Sequence, residues 1–410
     1  MERVLLFSSP ADDEYDPHLR RNVAEPPLGL LYLAAALEGS ALCEHYSLVD
    51  GYVNPAEADR LEERIRQEGA TQLWISLMSS EGMRCFGDRA RKIKEKFPHL
   101  KITAGGAYFR GLPEESLRSR FPDYDLVVTG DPDLEIDDVL RAEGIFRPKP
   151  LVSHVEVPYP RRDRVDLRTY FSAGRPPHHL VIGARGCNGG CTFCAINRRS
   201  PYLRTPREVA LEIKCLCAAT GIKAFSIIDD VTALNPERFD RYEESLETLP
   251  SDIQLDVSWR IDRFSEETAD RLADARVRVI RFGVESIDPA VQSFLGKSYS
   301  AEQIRRCVRW ATERSLSPCL YFLFGFPKDT EAGIAGLLDF MEELARETPV
   351  PPYLGIIRVL EGTPLMKLYR ERGWIKNGEP VRGLPLRDLL EVLARWRGKY
   401  PDFFYAGGSL

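Results

Sequence analysis

His179–Cys194, HLVIGARGCNGGCTFC, runs from an apolar, strand-like segment into three cysteines, with three residues between the first pair and two between the second. No further Cys or His accompanies Cys187, Cys191 and Cys194 inside the loop. Soft thiolates at such spacing select an iron–sulfur centre or zinc. A closed structural zinc site uses four ligands. Three thiolates around a [4Fe–4S] cluster instead leave one iron open to a further ligand. Cys215 and Cys217 fall in the following helical segment and point in different directions, and His178 and His179 stand at the far end of the strand. Gly186, Gly189 and Gly190 let the backbone wrap closely. On spacing alone both readings, cluster and zinc, stay open.

Around this loop the chain alternates strands and helices. Upstream, short apolar strands at 4–7, 46–50, 73–77, 101–104 and 126–129 are separated by helical segments. The clearest of these is 28–38, LGLLYLAAALE, entered through Pro26-Pro27 and followed by Gly39. That pattern predicts an open parallel sheet covered on both faces, with a ligand at the carboxyl ends of its strands. Ser8, Tyr52, Ser79, Gly105, Gly106 and Gly130 fall on that edge. Residues 144–177 are rich in Pro and Arg and read as a linker. Downstream, strands are expected near 179–184, 224–228, 254–259, 279–284, 317–324 and 353–359. Six strand–helix units make an incomplete barrel, since closure takes eight. The expected organisation is therefore 1–143, linker 144–177, barrel 178–375 and a helical tail 376–410, with Leu386, Leu389, Leu390, Leu393 and Trp396 on one face of the tail.

With 410 residues, two cores are expected. A net charge of -6 argues against a general nucleic-acid binder. The short apolar start, MERVLLFSSP, reads as a first strand and not a signal peptide, and no apolar run is long enough to span a membrane. A cytoplasmic, reducing setting follows, in which cysteines act as ligands or core residues. Cys43, Cys85, Cys215, Cys217, Cys307 and Cys319 are expected to be buried. Arg198, Arg199 and Arg204 read as a solvated basic face with an alternative role in binding an anion or an electron donor.

Cys187-x3-Cys191-x2-Cys194, with Phe193 before the last Cys and a strand opening a partial barrel, resembles the radical S-adenosylmethionine superfamily. The resemblance implies a [4Fe–4S] cluster whose open iron chelates S-adenosylmethionine, reductive cleavage to a deoxyadenosyl radical, and contact of Phe193 with adenine. SIIDDVTALNPERF (226–239), DVSWRIDRFSEE (256–267), RFGVESIDPAVQSFLGK (281–297), LFGFPKDTEAG (323–333) and VLEGTPL (359–365) are similar in order to the strand-end motifs of cobalamin-associated members. On that likeness Arg260 pairs with the carboxylate of S-adenosylmethionine, Glu285 with its ribose or amino end, and Asp229 or Asp230 with the polar wall. A guanidinium suits a carboxylate because it binds bidentately; the plainer reading is strand-end ion pairs and caps.

EPPLGLLYLAAALE (25–38), GGAYFRGLPEE (105–115) and VVTGDPDLEIDDVL (127–140) resemble the Rossmann-like cobalamin-binding domain of the same subgroup. No Asp-x-His-x-x-Gly motif occurs, and Asp50-Gly51-Tyr52-Val53 stands in its place, so cobalamin would be bound without that histidine. Trp74 reads as core and His18 as a surface histidine. The resemblance implies a cobalamin-dependent methyltransferase acting on an unactivated carbon of a small molecule, supplied with electrons by a flavodoxin or ferredoxin. The alternatives are a radical oxidoreductase, cyclase or mutase that uses cobalamin otherwise or not at all, and a non-enzymatic iron–sulfur or corrinoid-binding regulator.

Overall fold

The computed structural model describes residues 1–9, 25–51, 53–77, 80–153, 155–170, 177–187, 189–196, 201–230, 245, 248–349, 352–357, 359–376 and 379–380, with the side chains of 80–85, 376 and 379–380 excepted. Tyr52, Ser79, His18, Arg198, Arg199 and the expected tail helix lie outside these residues. The chain forms two compact units, Met1–Pro176 and Pro177–Leu410.

In the first unit β1 (Glu2–Ser8), β2 (Cys43–Asp50), β3 (Gln72–Ser76), β4 (Lys101–Gly105), β5 (Leu126–Val128) and β6 (Gly144–Phe146) form a parallel sheet in the order β2-β1-β3-β4-β5-β6. Successive residues of β1 face opposite ways, which is why it reads as an unbroken apolar run. Leu5 and Phe7 join one core with Leu73, Ile75, Ile102 and Ala104. Val4 and Leu6 join the other with Trp74, Leu126 and the α1 (Leu28–Glu38) residues Leu30, Ala34 and Leu37. The winding reverses between β1 and β3, so the crevice expected of such sheets opens at the carboxyl ends of these two strands. Ser8 stands there, half-buried. Trp74 is buried and donates to Gln72 Oε1 at 2.9 Å, in keeping with core packing.

Part of the segment expected as a linker is built into this unit. Gly144–Phe146 pairs with β5 as a sixth strand, too short for its periodicity to be seen. Further on, the Arg161 N–H donates to Leu31 O at 3.0 Å, and the buried Tyr170 hydroxyl donates to Asp50 Oδ2 at 2.6 Å.

Two of the three expected edge glycines have reasons within the chain. Gly106 has φ 111°, and a Cβ there would come within 2.5 Å of Leu77 O. Gly130 lies against Pro148, whose Cδ would be 3.3 Å from an added Cβ. Gly105 alone of the three has ordinary room, its nearest neighbours being Val128 atoms at 3.7 Å. Gly106→Ala is expected to destabilise the first unit by about 2–4 kcal/mol, from left-handed strain plus the overlap with Leu77. Urea unfolding of the variant beside the parent measures this.

In the second unit β7 (His179–Val181), β10 (Ala224–Ile227), β11 (Gln254–Trp259), β12 (Val277–Glu285), β13 (Ser317–Phe324) and β14 (Tyr353–Ile356) form a second parallel sheet in the order β14-β13-β12-β11-β10-β7. A short antiparallel pair, β8 (Ala184–Arg185) and β9 (Tyr202–Leu203), follows β7. Edge strands β7 and β14 do not pair, as in an open six-unit barrel. One face of each strand packs on the helices. Leu320, Phe322 and Phe324 of β13 meet Cys307 and Val308 of α10 (Ala301–Glu313) and Leu337, Leu338 and Met341 of α11 (Glu331–Ala345) in one core. The α7 helix (Pro206–Thr220) starts at a capping box, Thr205 with Glu208, a contribution of about 1 kcal/mol to its start.

Every described cysteine is a free thiol. Cys217, Cys307 and Cys319 are buried as expected, but Cys215 is exposed on α7, and Cys43, at the start of β2, is half-buried at the margin of the core it packs against. Arg204 overturns its expected solvation. It is 2% exposed and donates through Nη1 to Ile182 O at 2.8 Å and Glu212 Oε2 at 2.5 Å. Its partner lies eight residues on, in α7, beyond any local pattern.

Candidate active site

The cysteine loop leaves the carboxyl end of β7, and its approach is pinned from both sides. Asp229, which follows β10, is 4% exposed; its Oδ1 accepts from the N–H groups of Gly183 at 2.5 Å and Ala184 at 2.7 Å. Asp230 Oδ2 accepts from Gly186 N–H at 2.6 Å. From the other side the Arg204 N–H donates to Gly183 O at 2.9 Å. Both aspartates, expected in a polar wall around S-adenosylmethionine, thus act on the backbone that presents the first cysteine. Beyond the loop's middle, the Leu365 N–H at the start of α12 (Pro364–Glu371) donates to Thr192 O at 2.9 Å.

Within the loop the Gly189 N–H points at Cys187 Sγ at 3.2 Å and the Ile196 N–H at Cys194 Sγ at 3.4 Å. Burial pushes the Cys187 and Cys194 thiols up, backbone N–H groups pull them down, and the neighbouring Cys191 sulfur pushes them up again. Backbone donors to sulfur are what iron–sulfur ligands receive. Three soft thiolates with backbone N–H donors on two of them suit an iron–sulfur cluster, each sulfur taking one iron.

Arg260 follows β11 and lies beside the loop: a Cβ at Gly189 would come within 3.1 Å of Cys187 Sγ and 3.6 Å of Arg260 Nη1. Its Nε and Nη2 are already held by Asp262, at 2.9 and 2.8 Å. Asp262 so fixes the plane of the guanidinium and leaves Nη1 on the side of the cysteines. The sequence motif WRID contains this pair, but an i,i+2 fork is not foreseeable without the turn that follows the strand. Glu285 ends β12, 7% exposed, and meets Lys297 Nζ at 3.0 Å. Lys297 was missed; the signal for it is the Gly-Lys that closes the helix after Glu285-Ser286.

Phe193, expected to touch adenine, packs with its ring centroid 5.9 Å from that of Phe326, at the edge of a small core of Val291, Leu295, Phe326, Ile357, Leu365 and Tyr369. The turn carrying Phe326 is held by Asp329, whose Oδ2 accepts from Gly325 N–H at 2.7 Å and Phe326 N–H at 2.8 Å. Burial pushes Asp329 up to about 6; the two N–H donors oppose this, and Asp288 adds to it. Its folded-state pKa thus exceeds the unfolded value, so its ionisation lowers stability as pH rises from about 4 through about 6. Asp329→Asn keeps an oxygen for both N–H groups without the charge. The variant is expected to match the parent near pH 4 and to exceed it at pH 7 by about 1–2 kcal/mol, allowing for solvent screening. Melting curves across that pH range check it, with Tyr369, whose hydroxyl donates to Gly325 O at 3.3 Å, as the other titratable neighbour.

In the first unit the strand ends bring together Ser8, Asp50, Leu77 and Gly105 along one edge, and no His stands there among the described residues. No helix among the described residues is long and apolar enough to cross a membrane.

Residues 181–341 match the Radical SAM superfamily, and residues 20–140 match the B12 binding domain. An uncharacterised methyltransferase of Pyrococcus horikoshii is 26% identical over 92% of this chain and 88% of its own length. Among solved structures, the radical S-adenosylmethionine methyltransferase TsrM from Kitasatospora setae, with cobalamin and a [4Fe–4S] cluster bound, superposes with a TM-score of 0.68 at 17% identity, covering 92% of this chain and 79% of that one. The cobalamin-dependent S-adenosylmethionine radical enzyme OxsB superposes with a TM-score of 0.73 at 16% identity, covering 98% of this chain and 67% of that one. At these identities the superpositions speak for the fold.

Proposed function

We propose that this chain, a radical S-adenosylmethionine enzyme that carries a B12-binding domain, is a C-methyltransferase acting on an unactivated carbon of a small molecule. The observation that carries the reading is the backbone-pinned cysteine triad with Arg260 beside it, in a chain whose relative over 92% of its length is named a methyltransferase. TsrM, one of the proteins sharing the fold, is seen with tryptophan as its substrate, which supports a small molecule here.

Cys187, Cys191 and Cys194 would hold three irons, Arg260 Nη1 and Glu285 would take the polar end of S-adenosylmethionine, and Ser8 and Gly105 would lie against a corrin. When bound, these groups supply hydrogen abstraction by a carbon radical and a methyl group for transfer. The chain's own part is placement. Asp229, Asp230 and Arg204 hold the approach to the loop, Asp262 aims the guanidinium, and the Phe193–Phe326 contact closes the loop's apolar side. With no histidine at the described sheet edge, a corrin would be held there by shape and backbone.

The test is anaerobic reconstitution with iron, sulfide and cobalamin, followed by product analysis with candidate small molecules. Formation of both S-adenosylhomocysteine and 5′-deoxyadenosine, with cobalamin absorbance in the protein, is the expected result. Deoxyadenosine alone, from protein that retains no corrinoid, would sink methyl transfer and favour a radical oxidoreductase, cyclase or mutase.

A further inference from the structure

Strand β12 ends in a bulge that the next segment holds with three side chains. Its ladder to β13 shifts register between Gly283 and Glu285, and Glu285 takes a left-handed φ of 67°. That conformation costs a residue with a Cβ about 1 kcal/mol or more and persists only where the surroundings over-determine it. Three carbonyls around the bulge accept from these side chains. Gly283 O accepts from Lys297 Nζ at 2.6 Å and from the Tyr299 hydroxyl at 3.1 Å, Val284 O accepts from the same hydroxyl at 2.8 Å, and Ser286 O accepts from Gln292 Nε2.

The Glu285 side chain folds back over its own strand, close enough that a Cβ on Gly283 would come within 2.7 Å of Oε1. Lys297 Nζ meets that same oxygen at 3.0 Å, and Lys297 is only 9% exposed. Either charge alone would be costly at this depth. The residue before Lys297, Gly296, ends α9 (Pro289–Leu295) at φ 72°, and a Cβ on it would lie 3.4 Å from Gly190 O in the cysteine loop. One helix end therefore carries both the ammonium that grips Glu285 and a close contact with the cluster-binding loop. A bulge and a left-handed carboxylate maintained by this many buried groups, at the carboxyl end of a central strand, are features found next to ligand sites.

We propose that Lys297 is a positioning residue of the S-adenosylmethionine site, fixing Oε1 of Glu285 so that the carboxylate meets the polar ribose or amino end of the cosubstrate in one orientation. This rests on the assignment of Glu285 made above. Among the described residues Lys297 Nζ donates to Glu285 Oε1 and to the Gly283 carbonyl and lies by the Tyr299 ring, so it acts through Glu285.

The experiment is a double-mutant cycle read as equilibrium S-adenosylmethionine binding by calorimetry on cluster-reconstituted protein. K297M is expected to weaken binding by about tenfold, E285A by at least as much, and the double variant by no more than E285A, within about twofold. Unchanged binding by K297M, or losses that multiply in the double variant, would overturn the proposal. K297M leaves a lone buried carboxylate and can fail to fold. E285Q and E285Q/K297M avoid the lone carboxylate: the first keeps Lys297 hydrogen-bonded to the amide oxygen and the second buries no charge, and urea unfolding of both confirms that each is folded before binding is compared. Removal of Lys297 in that background is expected to weaken binding about threefold or more, and equal affinities would overturn the proposal. Wild-type protein that assembles its cluster and binds no S-adenosylmethionine would overturn both this proposal and the reading it rests on. Wild-type binding with an indifferent Lys297 would overturn this proposal alone.

Discussion

Cys194→Ala is expected to leave a folded protein that holds little iron and has lost S-adenosylmethionine cleavage. The side chain is half-buried in a loop, so losing its sulfur removes little packing. Three thiolates are all the loop offers, however, and a cluster with two protein ligands is not retained. Loss of a group that only orients a metal ligand costs 10–100-fold, so loss of a ligand itself should cost more than about 100-fold in cleavage. Iron content, the broad absorbance of reconstituted protein and deoxyadenosine yield are the measurements. Cys215→Ala, on the exposed face of α7, serves as the control and should change none of them. Full cleavage by the Cys194 variant would refute the ligand assignment.

Asp229→Ala should be the most damaging substitution outside the cysteines. One buried carboxylate oxygen accepts from two consecutive backbone N–H groups, at 2.5 and 2.7 Å, where β7 ends and the loop begins. Alanine leaves both donors buried without that acceptor, a penalty of about 1–3 kcal/mol for each, so about 2–6 kcal/mol of stability is at stake. The damage should reach function as well, because Gly183 and Ala184 lie just upstream of Cys187. Iron retention is expected to fall in step with stability. Asp229→Asn preserves an oxygen acceptor and gives up only the charge, so it should cost about 1–2 kcal/mol and keep most of the iron. Urea unfolding and iron analysis of the two variants separate a backbone-holding role from a ligand-binding one. Equal behaviour of the two would refute the former.

Much of the fold is readable locally. Both sheets are parallel, so their strands are continuous apolar runs, and runs such as VLLF and CLYFLF are easily seen. The short strand Gly144–Phe146 is not, because three residues show no period. For the site, Cys187, Cys191 and Cys194 are readable because a loop ligand set is contiguous in sequence. Arg260 and Glu285 are readable through motifs at strand ends. What escapes is the long-range pairing around them. Arg204 looked like part of a basic surface run until Glu212 and Ile182 O met it in the interior. Asp229 reads in the chain as part of a polar wall, and only the fold shows its Oδ1 accepting from the Gly183 and Ala184 amides just after β7. Gly106 reads in the chain as an edge glycine, and only the fold shows that the Leu77 carbonyl leaves no space for a Cβ there.

The sequence by itself determined the two α/β units and the cysteine triad, because periodicity and loop spacing are properties of neighbouring residues; the class of chemistry came with the resemblance of that triad to the radical S-adenosylmethionine superfamily. Only the tertiary structure decided which charged groups pair with one another and which hold the backbone frame. That choice depends on how far each strand end lies from the next, and on which buried amides and carbonyls still need a partner once the sheet has formed. Lys297 illustrates the difference: in the chain it is one lysine after a glycine, and in the fold it is the counter-charge of a strained glutamate.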